Sequence, residues 1–185
     1  MSYVDNFVQT FSGKKFSLFH PDPESIDLHD IAHALSMQCR FNGHTKRFLS
    51  VAEHSWWVSH LVKPEYALTA LMHDAGEAYI SDIPKPFKLT LGYYIELIEQ
   101  QVLDALGDKL GFDSTLSSEI KDADVEMLVY EREQALHPSK LVWSPYIESF
   151  VPYLAKARGI EVELNFWTPE YAKNMFLARY AELTA

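Results

Sequence analysis

Apolar positions recur at helical spacing through most of this chain. Ile31, Ala34 and Leu35 follow Asp27, a plausible N-cap, and predict a helix over residues 26–37. Val51, Ala52, Val58, Leu61 and Val62 predict a second helix that opens at Ser50, with Glu53 three residues on as in a capping box, and ends at Lys63-Pro64. A third starts at Pro64 and runs to about Tyr79, a fourth covers about Leu91 to Gly111, and a fifth about Ser114 to Leu136, where His137-Pro138-Ser139 stops it. The last begins near Thr168-Pro169-Glu170. Two stretches break the pattern. Phe7 to Phe19 sets Thr10, Ser12, Gly13 and Lys14-Lys15 between aromatic residues and suits a short hairpin, and Leu141 to Phe166 ends in a β-like alternation of Ile160, Val162, Leu164 and Phe166. Asn42-Gly43 marks Arg40 to Lys46 as a loop, and Ser81 to Pro86 reads as a rigid one. The expected architecture is all-α, a helical bundle with a small β-hairpin near the N-terminus.

With no repeat, low-complexity tract or Gly/Ser linker, residues 1–185 read as one domain. Its metal-binding core spans about 28–136, and 141–185 completes that core or forms an interface. An apolar share of 48% is ample for a core. The 16 basic and 26 acidic residues, a formal net charge of -10, argue against a general nucleic-acid or anionic-membrane surface, although a few local cations and a metal can dominate one pocket. One cysteine, Cys39, rules out an internal disulfide framework. The first residues lack a basic, apolar leader, and no run approaches a membrane helix, so a cytoplasmic location is expected, the host cytoplasm if the chain is phage-encoded.

The adjacent pair His73-Asp74 changes this picture, because it lies in the otherwise apolar run Tyr66 to Met72 and beyond, where a charge needs a partner or a metal. His54 on the second helix, His73 and Asp74 on the third, and Asp124 on the fifth fit one divalent-metal site if three helices pack as a bundle. Asp122 competes with Asp124 for the fourth place. Two imidazoles and two carboxylates suit Mn, Fe, Co, Ni or Zn better than Ca or Mg. Lys85 and Lys88, beside the proline-rich loop, can hold phosphate oxygens as point charges or stay solvated. His29 and His33 lie four apart but lack a third ligand, so a structural role is expected, and Trp56-Trp57 suits a core with a subunit contact.

His54, His73-Asp74 and Asp124 resemble the separated H…HD…D signature of the HD-domain metal-dependent phosphohydrolases. The words around them, Ser50-Val51-Ala52-Glu53-His54-Ser55, Met72 to Pro84 and Lys121-Asp122-Ala123-Asp124, are similar to the branch holding bacterial 5'-deoxynucleotidases and, closer, a group of phage and prophage HD hydrolases. That group shares segments like Thr10 to Phe16, Asp30 to Ser36 and Cys39 to His44, so the resemblance covers roughly residues 7 to 135. It implies Asp124 as the fourth ligand, Glu77 as general acid/base and Asp82 at the active centre. Arg40 is implied as a phosphate contact, Phe41 stands where the deoxynucleotidases carry a Trp that screens the sugar, and His44 becomes a candidate substrate contact. The implied activity is hydrolysis of a dNMP to deoxynucleoside and phosphate, or of a dNTP such as dATP to deoxynucleoside and triphosphate, by a homo-oligomer. The alternative is a regulatory module that holds metal and nucleotide without turnover.

Overall fold

The structure is a computed structural model that describes residues 7–185. Val8–Gln9 (β1) and Lys15–Phe16 (β2) form an antiparallel hairpin in the register Val8↔Phe16 and Gln9↔Lys15. Its turn closes through Gly13 at φ 84°, a left-handed conformation that costs glycine little. Asp30 holds this turn by accepting from the Ser12 amide at 2.8 Å and from the Ser12 hydroxyl at 2.7 Å. Phe16 is fully buried and stacks on Tyr79 with ring centroids 3.6 Å apart, which ties the hairpin to the helices.

The helices follow as α1 (Leu28–Met37), α2 (Val51–Leu61), α3 (Ala67–Met72), α4 (Glu77–Ile80), α5 (Lys85–Leu91), α6 (Tyr93–Leu110), α7 (Ser118–Ala135), α8 (Pro145–Ser149), α9 (Leu154–Arg158) and α10 (Pro169–Leu183). Side-chain oxygens of Asp27, Ser50, Ser117 and Thr168 cap α1, α2, α7 and α10 by accepting from amides of the first turn. Helix α2 is the axis of the molecule. Nine of its eleven residues are buried, because α1, α3, α7, α9 and α10 pack around it. One apolar cluster gathers Phe16, Ile31, Leu35, Met72, Leu106 and Phe176, and a second gathers Leu49, Val58, Leu61, Met127, Val162 and Leu164. Each fully buried aliphatic or aromatic side chain among these contributes roughly 1.5–3 kcal/mol.

Four expectations are revised. The third helix is not continuous. It starts as a 3-10 turn at Pro64–Tyr66, runs as α3, and tightens between His73 and Gly76 before α4. There the amides of Ala75, Glu77 and Tyr79 reach back three residues rather than four, to Met72, Asp74 and Gly76. The loop after Asp82 contains a helix of its own, α5. The alternation at 160–166 pairs with no strand among the described residues. Val162 and Leu164 point inward, and their backbone groups bond to the Gln134 side chain, which donates to the Val162 carbonyl at 2.9 Å and accepts from the Leu164 amide at 2.8 Å. The capping box at Ser50 is half formed: Ser50 accepts from the Glu53 amide at 3.0 Å, but the Glu53 carboxylate turns to the C-terminal segment.

That segment completes the core. Glu53 accepts from the amides of Asn165, Phe166 and Trp167 at 2.7–3.0 Å. Glu126 on α7 accepts from those of Tyr153, Leu154 and Ala155, each at 2.8 Å, and so caps α9. Both carboxylates are fully buried. Trp56 packs within the chain against Trp57, His60 and Trp167. Among the described residues no helix is long and apolar enough to cross a membrane.

Candidate metal centre

His54 lies in the first turn of α2, and its amide donates to the Ser50 carbonyl at 3.2 Å, so the Ser50 cap sets its height on the axis helix. His73 and Asp74 follow the last residue of α3, where the backbone tightens and swings both side chains towards α2. Asp124 is in the second turn of α7. Together these bring the four residues named from sequence into one pocket.

His54 Nε2 is 3.2 Å from Asp124 Oδ1 and 3.7 Å from Asp74 Oδ2. His73 Nε2 is 3.2 Å from Asp74 Oδ2 and 4.0 Å from Asp124 Oδ1. The other ring nitrogens are committed elsewhere. His73 Nδ1 lies 2.7 Å from the Ala70 carbonyl, which can only accept, so that nitrogen carries the proton. His54 Nδ1 is 2.7 Å from Glu131 Oε1 and donates to it. Both Nε2 atoms are buried and have no hydrogen-bond partner. Two imidazoles with fixed tautomers, their bare nitrogens turned towards carboxylates, are what a divalent cation requires of histidine. His54, His73 and Asp124 form a group that can hold a metal ion, and Asp74 Oδ2 adds a fourth donor atom within reach of both imidazoles. Asp122 is not part of it, because its carboxylate accepts from the Tyr153 hydroxyl at 3.0 Å. The Asp124 side chain is 46% exposed, which leaves the pocket open on that side.

Burial and neighbouring charges compete across this group. Burial opposes ionisation of Asp74, but His73, then His54 and Arg40, outweigh it and hold the carboxyl well below its usual range. Burial and Arg40 disfavour charge on His54, yet Glu131 and Asp124 overcome both and push it up to about 9.

Around this centre stand the remaining candidates. Arg40 is 9% exposed and donates to Glu131 Oε2 through Nη2 at 2.9 Å and Nε at 3.3 Å, while Nη1 lies 3.8 Å from Asp82 Oδ2 and 4.0 Å from Asp74 Oδ2. Asp82 reaches this position because the chain leaves α4 through Ser81 at φ 87° and ψ 153°, a conformation that residues with a β-carbon rarely adopt. Gln38 clamps the turn, accepting from the Asp82 amide at 3.0 Å and donating to the Glu77 carbonyl at 2.8 Å. Glu77 is 8% exposed, and its Oε2 has no partner. Burial, then the charges of Asp74 and Asp82, raise its carboxyl well above the ordinary value.

The structure separates the two lysines. Lys88 Nζ lies 2.9 Å from Glu99 Oε1 and 3.7 Å from Glu77 Oε1, whereas Lys85 is exposed at the start of α5. Phe41 stands beside Arg40, whose guanidinium is 5.8 Å from the ring centre, and faces Trp143 at 6.3 Å. Phe41 and Asn42 both adopt left-handed backbone, at φ 54° and 51°, in a 3-10 turn over Arg40–Gly43. His44 is exposed just beyond, and its amide donates to the Phe41 carbonyl at 2.9 Å. His33 stacks on Phe11 at 3.8 Å and His29 is exposed, so neither joins a metal group. Sequence reasoning missed Glu131, Gln38 and Trp143. For Glu131 a signal was available: it lies seven residues after Asp124, two helical turns along the same face.

No protein-family model matches the chain. It is 37% identical to the uncharacterized protein YfdR of Escherichia coli K12 over 179 residues, 97% of this chain and 96% of that protein. It is also 35% identical to an uncharacterized protein of Rhodobacter capsulatus over 122 residues, 60% of this chain and 62% of that one. The chain belongs to the YfdR family.

Proposed function

We propose that this member of the YfdR family is an HD-type, metal-dependent phosphohydrolase that cleaves a phosphate ester of a deoxynucleotide. One observation carries the reading: two buried, unpartnered imidazole nitrogens and two carboxylates converge in a pocket that also holds Arg40 and Glu77. His54, His73, Asp74 and Asp124 would hold the ion, and the nitrogen-rich donor set favours Mn, Co, Zn, Fe or Ni. When bound, such an ion supplies Lewis acidity that activates water and offsets charge on phosphoryl oxygens.

The chain's own residues account for the rest. Arg40 Nη1 and Lys88 Nζ hold the phosphate oxygens, and Asp82 keeps Nη1 directed into the pocket. As water adds to phosphorus and the ester bond breaks, Glu77 takes the proton that the water gives up and passes it to the departing oxygen. Phe41, with Trp143 behind it, offers an apolar wall for the sugar or base. Lys85 and His44, both exposed, have no contact with the group among the described residues, and their part is a matter for binding tests.

The test is to incubate the protein with each dNMP and dNTP in the presence of Mn, Co or Mg, and to separate the products. Phosphate or triphosphate released with deoxynucleoside is expected. Nucleotide that binds tightly yet survives long incubation with every metal would favour the regulatory alternative. Self-association, which the HD resemblance implies, is checked by light scattering on the same preparation.

A further inference from the structure

Glu131 takes no part in the chemistry above, yet it touches both halves of the site. It is fully buried on α7, and its two oxygens divide their work. Oε1 accepts from His54 Nδ1 at 2.7 Å, and Oε2 accepts from Arg40 Nη2 at 2.9 Å and Nε at 3.3 Å. An ionised carboxylate can only accept, and here every group facing it is a donor. The His54 proton is therefore drawn to Nδ1, which leaves Nε2 bare towards Asp74 and Asp124. Two of the three Arg40 nitrogens are consumed, which leaves Nη1 directed at the pocket.

We infer that Glu131 is a positioning residue that couples the two halves of the centre: one carboxylate sets the metal-ligating tautomer of His54 and aims the free nitrogen of Arg40 at phosphate. Metal binding and anion binding then depend on the same side chain. The phosphate half rests on the phosphohydrolase reading, and the metal half rests on the geometry of His54. Glutamine keeps the shape of Glu131 but has one oxygen and an amide that donates. In Glu131→Gln the amide faces either His54, where it moves the imidazole proton to Nε2 and blocks ligation, or Arg40, which it repels.

The experiment titrates Mn(II), and then inorganic phosphate on the metal-loaded protein, by calorimetry in the native chain, Glu131→Gln and Arg40→Met. Glu131→Gln is expected to weaken Mn(II) binding by about 10–100-fold, the range for a group that orients a ligating histidine. It is also expected to weaken phosphate. Arg40→Met is expected to lose phosphate while its Mn(II) affinity stays within about threefold of native, because Glu131 still serves His54. A Glu131→Gln protein that melts earlier but binds both probes like the native chain overturns the proposal.

A second measurement covers a variant that fails to fold. In the zinc-loaded native protein, nitrogen NMR is expected to show the His54 proton on Nδ1, and a proton on Nε2 overturns the inference. A native chain that hydrolyses no nucleotide, while Glu131→Gln still loses Mn(II), removes the phosphohydrolase reading and leaves the His54 half intact.

Discussion

Helices α2 and α7 each carry two kinds of buried side chain almost next to one another. On α2, Glu53 precedes His54, and on α7, Glu126 follows Asp124 by two residues and precedes Glu131 by five. Glu53 and Glu126 each accept three backbone amides from the C-terminal segment, so their charge is met by donors that belong to the fold. Asp74, Asp124 and Glu131 instead face histidines and an arginine, and two imidazole nitrogens among them have no partner. A buried carboxylate is thus a clamp or a reactive centre according to what stands opposite it. Fixed amides satisfy it completely, whereas mobile or absent cations leave it dependent on a ligand.

The strongest way to break this comparison is to remove a residue from the reactive set. His73→Ala or Asp74→Ala should abolish both Mn(II) binding and hydrolysis while far-UV circular dichroism stays helical, because the helix caps and both apolar clusters remain in place. Full turnover in either variant would end the distinction. The opposite outcome is expected at the clamp. Glu126→Ala leaves three amides of the 153–155 turn without their acceptor and should cost about 3 kcal/mol in denaturant unfolding. Its Mn(II) affinity should be unchanged, and a loss as large as that of Glu131→Gln would merge the two classes.

Metal itself should report the same division. Mn(II) at about a hundred times its dissociation constant should stabilise the native chain and Glu126→Ala alike by about 2.7 kcal/mol, and Asp74→Ala not at all. Thermal melts with and without chelator measure this. The lysines sharpen the boundary of the site. Lys88→Ala should raise the KM for nucleotide about tenfold, or about 1.4 kcal/mol, and Lys85→Ala should change it by less than about twofold. Far from the centre, Gln134→Ala removes two hydrogen bonds to the 162–164 segment and should cost about 1–2 kcal/mol with no change in metal affinity.

Much of this was legible in the chain. Helical periodicity and the caps Asp27, Ser50 and Thr168 placed the main helices, since both signals act within a few residues. His54, His73 and Asp74 were legible as metal-ligand types in an apolar setting, whereas Asp124 was set apart from Asp122 only by the HD resemblance, because both carboxylates fit the spacing. The break between α3 and α4 was not, since the pattern Tyr66 to Tyr79 satisfies a helix throughout and the tightening at His73–Gly76 answers to the packing of both side chains against α2. Ile160 to Phe166 alternates like a strand, and its burial does alternate, but the donors and acceptors that satisfy its backbone come from Gln134 and Glu53, up to 113 residues away in sequence.

The order of the main helices and the all-α class therefore follow from local sequence, where spacing and side-chain chemistry act over one or two turns. Tertiary structure alone decided which buried carboxylate is a clamp and which belongs to the site, that Lys88 rather than Lys85 reaches Glu77, and that Glu131 joins His54 to Arg40. Each of these depends on which donor from a distant segment is brought within about 3–4 Å, a distance at which hydrogen bonds and ion pairs act. Sequence proximity does not encode that distance, and helix packing sets it.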